Sequence, residues 1–184
     1  MNLPNKLTIF RIILIPVFLI LLLCPLGLPV GLNRYLALGV FIIASLTDCL
    51  DGYIARQYNL VTDFGKFMDP LADKLLCSSA MIALIDIPDA VISLPGVIVI
   101  VIIAREFMIT GFRTLAVEKG VVIAASKWGK LKTISQMAMI IILLLNIDTT
   151  VMKAVSVVII ILAAVLTIIS AVDYLCKNKE VLKG

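Results

Sequence analysis

Histidine is absent from all 184 residues. That removes imidazole general bases, histidine metal ligands and histidine-containing triads together. Any metal site must then be built from oxygen, which favours hard cations such as Mg2+, Mn2+ or Ca2+. Cysteine is sparse: Cys24, Cys49, Cys77 and Cys176 form no C-x-x-C pair and sit within or at the ends of apolar runs. They read as small buried hydrophobes, not as a disulfide framework or a zinc site. The long apolar runs lack strand-like alternation, which argues for helices and against a barrel.

What is present is hydrophobic: 62% of the residues, with only 15% charged. Several apolar runs approach the ~20 residues needed to cross a ~30 Å hydrocarbon core. The expected class is all-α, a polytopic membrane protein of six transmembrane helices forming a single domain over residues 1–184. The spans are expected at Leu7–Leu28, Arg34–Ile54, Phe67–Ile87, Ala90–Ala116, Ser126–Leu145 and Val151–Cys176. Pro16 lies inside the first as an expected kink, with Pro25 and Pro29 near its end. A positive charge precedes the first run as in a signal peptide, yet no small-residue cleavage site follows, so a retained span is expected.

Basic residues set the orientation. Fourteen of the sixteen lie at the N-terminal side, around the second-to-third connection, between the fourth and fifth spans, or in the tail. Only Arg34 and Lys153 fall on the other side. Both termini are therefore expected in the cytoplasm. The net charge of +4 suits anionic lipid head groups and does not call for nucleic acid. Trp128, the single tryptophan, reads as an interface anchor.

Within this apolar chain, residues 48–73 read D-x2-D-G-x2-A-R-x8-G-x3-D-x3-D. A charged residue at a membrane-helix centre costs roughly 2.5–3.5 kcal/mol. Folding does not require that cost, whereas a site for divalent cations does. Asp48 and Asp51 are three apart on one helix face, and Asp69 and Asp73 are four apart on another. A connection at about residues 57–65 reverses the chain between them. Four converging carboxylates repel and shift one another's protonation unless cations lie between them. Two divalent ions a few ångströms apart fit, as in two-metal phosphoryl chemistry. Gly52 and Gly65 leave room for a ligand against the backbone. Small residues such as Ala55 also serve helix packing. Arg56 offers a planar donor fork suited to phosphate. Asp63 reads as a solvated or capping residue.

The whole string resembles the signature of the CDP-alcohol phosphatidyltransferase family, without departure at a fixed position. The resemblance implies an enzyme that moves a phosphatidyl group from a CDP-linked lipid to an alcohol, releasing CMP. It implies Mg2+ or Mn2+, two ions, held by Asp48, Asp51, Asp69 and Asp73, with Asp73 also the general base. Gly52, Ala55, Arg56 and Gly65 would line the CDP-lipid pocket. Asn5, Thr8 and Arg11 either cap the first helix or face the nucleotide. No Cys or Ser stands out as a nucleophile, so direct displacement is expected.

Three further segments, NLPNKLTIFRIILIP at the start, REFMITGFR at Arg105–Arg113 and GKLKTISQ at Gly129–Gln136, resemble one bacterial branch of the family. That branch joins CDP-diacylglycerol to sn-glycerol 3-phosphate. The implied acceptor carries a phosphate, which Arg105, Arg113, Lys130 and Lys132 would bind by charge-assisted contacts; positive-inside residues are expected there in any case. Thr133 and Gln136 are further candidates on the acceptor side. The resemblance also implies a homodimer in the bacterial inner membrane, with its site facing the cytoplasm. Two rivals are a CDP-diacylglycerol-type cardiolipin synthase, with a lipid acceptor, and a divalent-cation transporter, which would leave Gly52, Arg56 and Gly65 unexplained.

Overall fold

The computed structural model describes residues 3–24, 26–29, 31–57, 63–87, 89–118 and 126–179. Within them, the side chains of residues 3–4, 49–57, 63–67, 69–70 and 118 lie outside the description. Six helices make up the regular structure of the described residues: α1 Leu3–Leu23, α2 Leu32–Gln57, α3 Asp63–Ala83, α4 Gly96–Glu118, α5 Lys127–Leu145 and α6 Thr150–Lys177. By length and composition α1, α5 and α6 can each cross a membrane. The described residues group into two compact units, 1–90 and 91–184.

In the first unit α1 packs on both α2 and α3. Each helix buries a stripe at three- and four-residue steps, the spacing that brings side chains onto one face. On α1 the stripe is Ile15, Phe18 and Leu22; on α2 it is Ala37, Phe41 and Ala44; on α3 it is Ala72, Leu76 and Ala80. The four alanines allow close backbone approach, as small residues do in membrane helix pairs. Phe18 of α1 meets Phe41 of α2, ring centroids 6.0 Å apart.

In the second unit α6 packs on α4 and on α5. Phe112 and Tyr174 meet edge to face at 5.7 Å, within a cluster that includes Ile109 and Ala116. Ser126 caps α5 by accepting from the Gly129 amide at 3.1 Å. Asn146 ends α5 in the left-handed region (φ 49°), and its Oδ1 accepts from the Val91 amide at 2.8 Å.

Polarity is inverted relative to a water-soluble bundle. On α6 the buried residues include Ser156, Thr167 and Ser170, while Val151, Val158, Ile161, Ile168 and Val172 are exposed. Exposed apolar faces of this extent suit a lipid surround.

Helix ends differ from expectation where prolines and glycines intervene. α1 stops at Leu23, not Leu28, because the following chain carries Pro29 and Gly27 with φ +66°. α3 begins and ends four residues early, at Asp63 and Ala83. Asp63 is thus its first residue instead of part of a longer loop. α4 starts at Gly96, with Pro95 supplying the carbonyl that the Ile98 amide meets at 2.9 Å. The expected burial of the cysteines does not hold for Cys24 or Cys176, which are exposed. Cys24 lies just past the end of α1, and Cys176 lies in the last turn of α6. Cys77 is half-buried, and the Cys49 side chain is outside the described residues.

Candidate active site

The buried stripes of the first unit turn polar at one end of each helix. On α1 the stripe continues from Ile15 back through Arg11, Thr8 and Asn5, which are all buried; Arg11 and Thr8 are 0% exposed. On α2 it continues from Ala44 to Asp48, which is half-buried. On α3 it begins at Asp73, also half-buried, before Leu76 and Ala80. Arg11 pairs with Asp48, and Phe18 with Phe41. The partner number falls as the number rises, so α1 and α2 run antiparallel and their polar ends coincide.

The Arg11 guanidinium donates from Nη1 to Asp48 Oδ1 at 2.5 Å. Burying an arginine is costly unless it is paired, and Asp48 supplies the counterion. The Asp48 side chain is itself 38% exposed. Asn5 and Thr8 lie within α1 on its buried face, the face that also carries Arg11.

Of the other residues expected here, Asp51, Gly52, Ala55 and Arg56 fall on the last turns of α2, and Gly65 and Asp69 on the first turns of α3. Their side chains lie outside the described residues. Among the described residues no three His, Cys, Asp or Glu side chains come together. Asp48 and Asp73, the described acidic residues at these helix ends, offer carboxylate oxygen, which fits a hard divalent cation and not a soft one.

The second unit holds the basic residues. Glu106 of α4 accepts through Oε1 from Arg105 Nη1 at 3.0 Å and from Lys132 Nζ of α5. Arg105 Nη2 donates to Ser170 Oγ of α6 at 2.9 Å. Lys132 and Gln136, one turn apart on α5, are both buried. Lys130 is exposed, because a two-residue step on a helix reverses the face. Thr133 is exposed too and bonds back to the Gly129 carbonyl. Arg113 stands apart from the Glu106 group: its Nε donates to the Tyr174 hydroxyl at 3.1 Å, and its guanidinium lies 5.6 Å from that ring's centroid. Arg105 and Lys132 are thus brought together, whereas Lys130 and Arg113 have separate surroundings. Trp128 is 40% exposed, as an interfacial side chain would be.

Glu106 stands beside Arg105 in the sequence, but its contact with Lys132, and those of Ser170 and Tyr174 with the arginines, come from helix packing that spacing does not show. A glutamate in the middle of the apolar α4 run was the available signal for the first; nothing comparable marked the other two.

The chain matches known proteins along most of its length. The family model for CDP-alcohol phosphatidyltransferase matches residues 1–169. A Bacillus subtilis protein named CDP-diacylglycerol–glycerol-3-phosphate 3-phosphatidyltransferase is 46% identical, covering 99% of this chain and 97% of its own. Proteins of the same name from Rickettsia typhi and Haemophilus influenzae are 42% and 38% identical, over 96% and 100% of this chain and 98% and 94% of theirs.

Proposed function

The chain belongs to the CDP-alcohol phosphatidyltransferase family, and from that membership we propose that it transfers the phosphatidyl group of CDP-diacylglycerol to sn-glycerol 3-phosphate. The products are phosphatidylglycerophosphate and CMP. The observation that carries this reading is the near full-length identity to relatives named for that reaction. The family match runs through both compact units, which supports treating residues 1–184 as one functional domain.

In this reading the polar ends of α1, α2 and α3 hold the CDP-lipid. Asp48, Asp51, Asp69 and Asp73 are the ligands for two divalent ions, Mg2+ or Mn2+, with Gly52, Ala55, Arg56, Gly65, Asn5 and Thr8 lining the nucleotide pocket. When bound, such ions neutralise the charge that builds on the pyrophosphate oxygens as the bond is cut. Asp73 is the general base, taking the proton of the acceptor hydroxyl as its oxygen attacks phosphorus. Arg11 holds Asp48 in place from the neighbouring helix. Arg105 and Lys132, which Glu106 brings together, bind the phosphate of the acceptor, and Arg113 and Lys130 add to its binding from their separate positions on α4 and α5. Attack is direct, so a substrate chiral at phosphorus inverts.

All six helices span the bacterial inner membrane in this reading, with both termini and the acidic helix ends on the cytoplasmic side. The distribution of basic residues supports that topology. The enzyme works as a homodimer. An acceptor panel with CDP-diacylglycerol tests the function: glycerol 3-phosphate, phosphatidylglycerol, serine and inositol phosphate are offered in turn, and CMP release is measured with and without Mg2+ or Mn2+. Metal-dependent release with glycerol 3-phosphate is expected. Release with phosphatidylglycerol instead would reassign the enzyme to cardiolipin synthesis, and no CMP release with any acceptor would reject the enzyme reading.

A further inference from the structure

We infer that Glu106 is the positioning residue of the acceptor-phosphate subsite, tying Arg105 of α4 to Lys132 of α5 so that the two cations stay aligned. This rests on the proposed reading of Arg105 and Lys132 as phosphate ligands. Glu106 itself touches no substrate in this role; it acts through its two neighbours.

The Lys132 side chain is only 4% exposed and that of Arg105 only 11%. A buried ammonium swings towards water unless an anion faces it. Glu106 is that anion, at 17% side-chain exposure, and one oxygen serves both cations. Arg105 is also held from α6: Ser170, 0% exposed, accepts from its Nη2, and the Ser170 hydroxyl in turn donates to the Thr167 carbonyl at 3.0 Å. The guanidinium is thereby fixed by a carboxylate on one amine and a hydroxyl on the other.

Hydrogen bonds are left unbalanced in one direction. Among the described residues, Arg105 Nε and Gln136 Nε2 are buried without an acceptor. A group that served stability alone would be satisfied. Unmet donors beside two cations that share one carboxylate oxygen suit an incoming anion with several oxygens, and a phosphate monoester has that chemistry.

The test uses the full-length enzyme in detergent micelles. Glu106→Gln keeps the shape and removes the charge; Glu106→Asp keeps the charge and shortens the reach. The expected result for Glu106→Gln is a rise of about 10-fold or more in the KM for glycerol 3-phosphate, with the KM for CDP-diacylglycerol within about 2-fold of wild type. Glu106→Asp should recover part of the loss. Parallel rises in both KM values, or an unchanged acceptor KM, would overturn the inference. Should Glu106→Gln not fold, Glu106→Gln/Lys132→Met removes both buried charges and is compared with Lys132→Met alone. If Glu106 acts through Lys132, the double variant has an acceptor KM close to that of the single one; independent, multiplying effects would count against it. Wild-type enzyme is assayed alongside. If it does not use glycerol 3-phosphate, the functional reading fails; if it does and the Glu106 variants behave like wild type, only the Glu106 inference fails.

Discussion

Arg11 and Asp48, 37 residues apart in sequence, form an ion pair in which the arginine is entirely buried and the aspartate half exposed. The asymmetry has a functional sense. The guanidinium fixes one carboxylate oxygen from within the bundle, while the aspartate side chain as a whole is part-exposed. Arg11→Met keeps most of the volume and removes the fork. It is expected to lower kcat by about 10-fold or more while the KM for glycerol 3-phosphate stays near wild type. Arg11→Lys restores the charge without the planar geometry and should recover only part. Steady-state kinetics on the three proteins check this; wild-type kcat in Arg11→Met would remove Arg11 from the site.

The polar ends of the three stripes were legible before the fold was known, because Asp48, Asp51, Asp69 and Asp73 repeat at helical spacing within apolar sequence. Which helix faces them was not. Asn5, Thr8 and Arg11 share a face by their three-residue steps, but a capping role fitted that spacing equally well. Packing of α1 against α2 adds what spacing could not: it brings Arg11 to Asp48. The same holds for Glu106: its neighbour Arg105 is visible in sequence, whereas Lys132 and Ser170 meet it through helix packing. Apolar run length marks the helices, whereas Gly27, Pro29 and Pro95 set the end of α1 and the start of α4.

Asp73 and Asp51 separate chemistry from binding. Asp73→Asn keeps the size and loses proton-accepting ability. Turnover should fall by about 100-fold or more, the usual scale for losing a general base, with CDP-diacylglycerol affinity largely intact. Asp51→Ala removes a ligand oxygen and should abolish the metal dependence of CDP-lipid binding. Equilibrium binding with and without Mg2+, beside single-turnover rates, tests both. Near-wild-type turnover in Asp73→Asn would end its assignment as base.

Arg113 is held by Tyr174 through both a hydrogen bond and the ring face. Arg113→Ala should raise the KM for glycerol 3-phosphate more than that for CDP-diacylglycerol. Tyr174→Phe leaves the ring and removes the hydroxyl, a loss of about 1 kcal/mol for a single hydrogen bond. Its effect on the acceptor KM should run in the same direction and be smaller. Equal shifts in both KM values for Arg113→Ala would place this arginine outside the acceptor subsite.

Asn146 bears on stability alone. It stands in the left-handed region at the end of α5, and its side chain holds the Val91 amide. Alanine there incurs left-handed strain of about 1 kcal/mol and leaves that amide without its acceptor, at about another 1 kcal/mol. Glycine relieves the strain but not the lost hydrogen bond. Thermal unfolding in detergent should therefore rank wild type above Asn146→Gly, and Asn146→Gly above Asn146→Ala. Activity at temperatures well below the transition should be unchanged in both variants. If Asn146→Ala and Asn146→Gly melt together, the backbone conformation contributes nothing and the hydrogen bond accounts for the whole effect.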